Sequence, residues 1–578
     1  MCGLTSNRGS GGRMVRIIVA VAAAASAVPG HVYADQNWDG DNAVGNFSFN
    51  NNWFGDSEPS WNFASGNLNF AFSNNQSQTS LFFDYGSWRT TNDIYWLSTY
   101  GKSMVLSSNG NGIDFTTRLE NQSNFAQTIS MPMSGGKNGV TEIQLNPVNA
   151  SLTISGTIFN DNNVDYVVYG STSSTSTTLT LNTPLGPNAS TPSNIDFTVA
   201  GGRNSLVNVL ASQVWAGTTT VNSGSFTTGS GVTLASPTIV VAGGTVTTTS
   251  ANTFVDSAAL TVNSGRLSIG GSDTVASLAG SGGTVEVAAG ATLTTGGAGS
   301  TSYAGSIIGS GNLTKVGSGT FTLTSASTFT GTATVTAGQL SLGAANLLAD
   351  TVSAVVDGGV LSFGGSDTIG SLAGTGGTVA LGANNLTLGG NETKAFAGAL
   401  TGSGTFTKNG SGTLTLSGTS SAFTGVTNLA AGGLLVTGSL ATARVDVGGS
   451  ATLGGGGSIT GNVAFADGAK FQFDPVTPLT IYSGSATFAN FGVDDVAGLS
   501  ESTPNGTYTL IAGTVNFANV QNVGAANAFA FAVNKQAYFE AGSLNLVVVP
   551  EPGALPLVGF GIAAGLVLRR KLPRRKRD

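Results

Sequence analysis

The chain has 578 residues, with 85 glycines, 15 prolines and only 9% charged side chains, against about 25% in an ordinary globular protein. Ten of the 22 basic residues lie in the two ends but only one of the 29 acids does, so the body carries 12 bases against 28 acids, a net charge near −16; such a surface lacks the basic patches that drive nucleic-acid binding. The single cysteine, Cys2, and the single histidine, His31, both precede the export cleavage point expected below, which removes thiol nucleophiles, disulfides, Cys/His zinc sites and His-based triads from the mature chain.

In chain order, Arg13 and Arg16 precede a 12-residue apolar run, residues 17–28, which ends in Pro29-Gly30-His31-Val32-Tyr33-Ala34. A basic start, a short apolar segment and a small residue at the cut read as a secretory signal. Cleavage is expected between Ala34 and Asp35, because a run this short falls well below the ~20 residues that span a bilayer. Residues 35–215 form an aromatic, Asn-rich β region that holds all six tryptophans: Trp38, Trp53, Trp61, Trp88, Trp96 and Trp215. Period-two segments such as Gly66-Asn67-Leu68-Asn69-Phe70-Ala71-Phe72 predict half-buried strands. The aromatic residues are expected to cap a solenoid, whose terminal coil must be covered. Asp35, Asn37, Asp39 and Gly40 match the first half of a calcium loop, but position 12 holds Asn46 in place of the bidentate Glu, so no metal is expected there. The cluster Asp161-Asn162-Asn163-Val164-Asp165 reads as a turn. No catalytic residue and no cofactor is expected anywhere in the chain.

After Trp215 the aromatics thin out, and short Thr/Val strands are broken by glycine at close intervals, as at the corners of β-solenoid rungs. The chain then repeats itself. Residues 304–324 (AGSIIGSGNLTKVGSGTFTLT) and 397–417 (AGALTGSGTFTKNGSGTLTLS) are identical at 13 of 21 positions, and residues 272–283 return at 366–377. The returning pattern is G-S-G-x-[LF]-T-K-x-G-S-G-T-[LF]-T-L, with Lys315 and Lys408 in equivalent places. It resembles the autotransporter-associated, or passenger-associated, β-strand repeat. The resemblance implies a right-handed parallel β-helix over residues 216–438, stacked at about 4.8 Å per rung, with Leu, Val and Phe inside and Thr and Ser outside. The lysines are expected to lie solvated or snorkelling on the outer face. Gly309-Ser310-Gly311 lacks the Lys-Ser/Thr sequel and the helix of a phosphate loop.

Residues 439–549 continue as β strands, and Asp494-Asp495 is the only adjacent acidic pair in the body. From there the C-terminus runs Pro550-Glu551-Pro552, a 16-residue apolar segment (residues 553–568), and Arg569-Arg570-Lys571. As a helix that segment covers about 24 Å, and the basic end holds it at the cytoplasmic side. Residues 550–578 resemble the PEP-CTERM sorting signal in all three parts. The resemblance implies processing by an exosortase-type membrane peptidase, after transient anchoring by the apolar helix and before delivery to the cell surface or extracellular polysaccharide matrix. The stretch after the last repeat lacks the regular ~10-residue amphipathic strands of a membrane barrel, so the tail is expected to set the destination. The chain thus reads as an all-β, non-enzymatic surface or matrix protein, an adhesin- or stalk-like solenoid. Two alternatives are weighed: a polysaccharide binder using Trp38, Trp53, Trp61 or Trp88, and a polysaccharide lyase or hydrolase on the same fold.

Overall fold

Alternation decides most of the secondary structure. In Thr218–Val221, residues Thr219 and Val221 are buried while Thr218 and Thr220 face outward, and the same pattern recurs in Thr238–Val241, Thr245–Thr248 and Ala259–Val262. A strand with one apolar face and β-branched residues on both is stable only if that face is covered and both edges are paired. Stacking successive rungs in parallel does both, as the sequence leads one to expect. The computed structural model describes residues 205–551 continuously and, before them, residues 68–70, 80–83, 89–96, 104–108, 113–135, 142–160, 164–170, 176–186 and 195–200. It divides into two compact units, Met1–Val355 with Gly359–Leu361, and Val356–Gly358 with Ser362–Asp578.

In the first unit the strands pair in parallel, each with the strand one rung on. Thr218 pairs with Thr238 and Thr238 with Ala259, which gives a rung of 20 or 21 residues. A second sheet runs through Ser205–Val209, Ser225–Thr228, Thr245–Thr248, Arg266–Ile269 and Thr284–Val287. The third side begins as isolated bridges, Gln213 to Leu234 and Leu234 to Phe254. It becomes true strands at Asp273–Val275, Thr292–Thr295, Asn312–Lys315 and Thr332–Val335. Val221, Val241 and Val262 stack in the core with Ile239 and Leu260, all essentially inaccessible.

The parallel order is already present before residue 216: Ile113–Asn121, Glu142–Pro147, Asp165–Val168 and Phe197–Val199 are successive neighbours in one sheet. Rungs there are longer, with side-chain bonds linking residues 27 to 31 apart, such as Asn182 to Ser155 and Asp196 to Asp165. Trp215 is fully buried, stacked on Phe197 with ring centroids 4.8 Å apart, and its indole N–H donates to Thr219 Oγ1 at 2.9 Å.

The second unit continues the same logic from Asp367–Ile369 through Leu386–Leu388, Phe406–Lys408 and Val426–Val436 to Ser439–Gly454, Ser458–Phe465, Leu479–Phe488 and Gly506–Val515, all in parallel. There the direction changes. Leu544–Pro550 pairs antiparallel with both Gly506–Val515 and Lys535–Glu540, and Lys535–Glu540 pairs antiparallel with Phe529–Ala532. Phe465, Phe488, Phe491 and Phe539 pack as a chain of rings 4.6 to 5.9 Å apart beneath this hairpin. Gly454–Gly457, whose glycines read as a flexible hinge or a wide corner, makes a tight one: a Cβ on Gly455, at φ +105°, would sit 2.3 Å from the Val436 carbonyl oxygen.

Among the described residues the only helical turns are the 3-10 segments Val493–Asp495 and Ala525–Asn527, and no helix is long and apolar enough to cross a membrane. The export signal at residues 1–34, the aromatic start at 35–67 and the apolar helix expected over 553–568 lie outside the described residues.

Candidate functional site

The repeat motif is where the sequence concentrates its information, and the structure gives its lysines an inward role. In Asn312–Lys315 the alternation turns Asn312 and Thr314 out and Leu313 and Lys315 in. Lys315 is therefore 1% exposed and Lys408, its equivalent, 3%. This corrects the expectation of solvated lysines: strand parity outranks the preference of a charge for water, because moving Lys315 outward would move Leu313 with it. An ammonium has three N–H donors. Lys315 Nζ donates to the carbonyls of Val316 at 2.5 Å, Gly317 at 2.9 Å and Ala337 at 3.4 Å. The last belongs to the next rung, so one side chain ties two successive corners together. Lys408 Nζ donates in the same way to the Gly410 carbonyl. Burial holds both ammonium groups below the ordinary lysine range. The corner can close on the amine because of Gly338, at φ +60°, where a Cβ would lie 2.4 Å from the Gly317 carbonyl and 2.9 Å from Lys315 Nζ. Its counterpart Gly432 also has positive φ, +71°.

Side chains at strand starts accept backbone N–H groups one rung on. Ser272 Oγ takes Thr292 N–H at 3.0 Å and Asn312 Oδ1 takes Thr332 N–H at 2.8 Å. In the second copy Ser366 Oγ takes Asn385 N–H at 3.0 Å and Asn385 Oδ1 takes Thr405 N–H at 3.1 Å. These are the donors that corner geometry would otherwise leave unmet. Asp165, the last residue of the cluster read as a turn, and Asp196 do the same: Asp165 Oδ1 takes Asp196 N–H at 3.0 Å and Asp196 Oδ1 takes Thr218 N–H at 2.5 Å.

Two buried groups in the first copy are less well served. Asp273, 2% exposed, accepts the N–H groups of Thr253 and Phe254 on Oδ2 at 2.9 and 3.2 Å, while its Oδ1 has no hydrogen-bond partner. Burial pushes its carboxyl up to about 6; these backbone donors work against that shift and the charge of Asp256 adds to it. Tyr303 is fully buried with an unpartnered hydroxyl, and burial pushes that hydroxyl above the ordinary tyrosine range. The equivalent place in the second copy is Phe396.

Of the remaining residues singled out from sequence, those that are described do not converge. Pro550 ends the strand Leu544–Pro550, opposite Lys535, and Glu551 N–H donates to the Asn534 carbonyl at 3.0 Å, so the Pro-Glu-Pro motif starts at the very edge of the folded hairpin. Ala34, Asp35, Pro552, Arg569, Arg570 and Lys571 lie outside the described residues, as do Trp38, Trp53, Trp61 and Trp88. Asp495 caps its own turn by accepting Gly492 N–H at 3.0 Å and stands 3.8 Å from Lys470. Among the described residues no group of three or more His, Cys, Asp or Glu side chains could hold a metal ion. A pocket of about the size of one water molecule lies beside Lys408, bordered by Ser371 and the Glu392–Lys394 ion pair at 2.9 Å.

A family model described as the passenger-associated-transport-repeat matches the chain twice, at residues 313–342 and 406–436. Both matches run from the strand bearing the buried lysine through the glycine at which the next corner turns. No curated protein and no solved structure matches the chain. The two repeats and the parallel β-solenoid fit an autotransporter-like passenger, a surface structural protein.

Proposed function

We propose that this chain is an exported, non-enzymatic structural protein, an adhesin- or stalk-like solenoid of the cell surface or extracellular matrix. One observation carries the reading. The repeat spends its charged and polar residues on its own backbone: Lys315, Lys408, Asp273 and Asn312 all bond main-chain groups of the same or a neighbouring rung. A site for chemistry would instead aim such groups at a shared open position. What remains outside is Thr, Ser and Asn, a wet and sparsely charged surface suited to persistence in an external matrix.

Delivery is assigned to the tail. A signal cleaved between Ala34 and Asp35 starts export. The Pro550-Glu551-Pro552 motif with Arg569, Arg570 and Lys571 holds the chain at the membrane for an exosortase-type peptidase, and the released body joins extracellular polysaccharide. Mass spectrometry of the protein from envelope and medium tests this. The expected mature form begins at Asp35 and ends near Pro552. Recovery of peptides from residues 553–578 in the matrix-associated protein would overturn the sorting reading. Release of product from a panel of purified glycans would overturn the structural one.

A further inference from the structure

We infer that Asn505 is a self-modification site, at which the chain deamidates and gains a permanent ion pair to Lys535. Asn505 is an exposed bend residue, and Gly506, also exposed, is the first residue of the strand Gly506–Val515 and pairs with Val548 at the end of the ladder. Lys535, the first residue of Lys535–Glu540, places its Nζ 2.7 Å from Asn505 Oδ1 and 2.8 Å from the Thr503 carbonyl. An ammonium only donates, so the atom facing it is the amide oxygen and the amide nitrogen points away. The space beside Gly506 is open: a Cβ there would meet nothing closer than Tyr508 at 3.7 Å, and the Tyr508 hydroxyl holds the preceding bend by donating to the Pro504 carbonyl at 2.8 Å.

Once that terminal ladder pair opens and frees the Gly506 amide nitrogen, these parts meet the requirements of succinimide chemistry. The Gly506 amide nitrogen gives its proton to water and attacks Asn505 Cγ. The N–Cγ bond forms and negative charge develops on Oδ1, the atom that Lys535 already holds. The Cγ–Nδ2 bond then breaks, taking a proton from solvent, and ammonia leaves. Water opens the ring at either carbonyl to give aspartate or isoaspartate. Lys535 thus serves as a fixed donor to a developing oxyanion, and the product carboxylate meets the same ammonium. A hydrogen bond from an ammonium to a neutral amide becomes a hydrogen-bonded ion pair.

The chain carries its own control. Asn409-Gly410 is the same dipeptide, but Gly410 is buried in a repeat corner whereas Gly506 is exposed at a strand end, and Lys408 bonds the Gly410 carbonyl oxygen rather than the Asn409 side chain.

The test incubates the full-length protein at 37 °C and neutral to mildly alkaline pH and follows peptide masses over time. The expected result is a gain of about one dalton at Asn505, the mass difference between a carboxyl and an amide, well before any at Asn409. Lys535→Met is expected to slow conversion about three- to tenfold, far less than the ~10²-fold loss when an oxyanion donor is removed from a dry active site. Lys535→Arg is expected to retain the rate, and Gly506→Ala, which keeps Lys535 in place, to suppress conversion. Equal rates at Asn505 and Asn409, or an unchanged rate in Lys535→Met with the hairpin intact by circular dichroism, would overturn the inference. So would loss of ammonia with a peptide cross-linked between residues 505 and 535, which would make Lys535 the nucleophile.

Discussion

Asp273 makes the stability of the first unit depend on pH in the direction opposite to most carboxylates. Its carboxyl rises from 3.8 to about 6 on folding because the ionised form is desolvated. A group whose pKa is raised in the folded state stabilises fully below its unfolded pKa, and that contribution is lost as pH rises through the folded value. Each pKa unit is worth about 1.4 kcal/mol, so ionised Asp273 costs about 3 kcal/mol above pH 7 relative to its protonated state. Asp273→Asn keeps an oxygen for the Thr253 and Phe254 N–H groups and removes the charge. Urea unfolding of wild type and variant between pH 4 and 8 should give nearly equal stabilities near pH 4 and a growing advantage for the variant, up to about 3 kcal/mol at pH 8. Glu286 works the other way: its hydrogen bond from Arg266, with a second from Ser268, holds its carboxyl below the usual range, so its contribution is lost as pH falls. The difference between the two proteins cancels that background. A variant less stable than wild type at pH 8, or a difference that shrinks as pH rises from 4, would refute the reasoning.

Tyr303→Phe should stabilise by about 1–2 kcal/mol, because it removes a buried hydroxyl without a partner, and Phe396→Tyr in the second copy should destabilise by a similar amount; urea midpoints decide both. Lys315→Ala should cost about 3–5 kcal/mol, since three corner carbonyls lose their donor and a cavity opens. Lys315→Met should cost less by the packing of the retained stem. Gly338→Ala meets two carbonyls at 2.4 Å as well as an unfavourable φ, whereas Gly231→Ala, at φ +73°, meets nothing within 4 Å. The second change should cost about 1 kcal/mol and the first clearly more, and the difference isolates the close contact that lets Lys315 bind the corner.

The fold was legible where residue type and strand parity agree. Thr-Val alternation with glycine at the breaks announces rungs from Thr218 onward, and the duplicated motif marks their clearest copies. Before residue 216 paired residues of successive rungs stand from 22 to 31 residues apart, so the same sheets left no steady period to read. Lys315 shows the other kind of failure. Its inward place was countable from Leu313, two residues earlier on the same face. A rule about residue type, that lysines stay wet, conflicted with a rule about position, and position wins when backbone carbonyls stand at the end of the stem. The partner of that lysine was hidden because Ala337 contributes its carbonyl, which no side-chain pattern encodes. The same reason explains why no site stood out in the sequence. In a stacked solenoid the scarce resource is hydrogen-bond partners for the corners. Lysine, aspartate, asparagine and serine recur in the repeat because they supply these, within one rung or to the next. A charged residue that returns with the duplicated unit is therefore better read as a corner tie than as half of a catalytic pair.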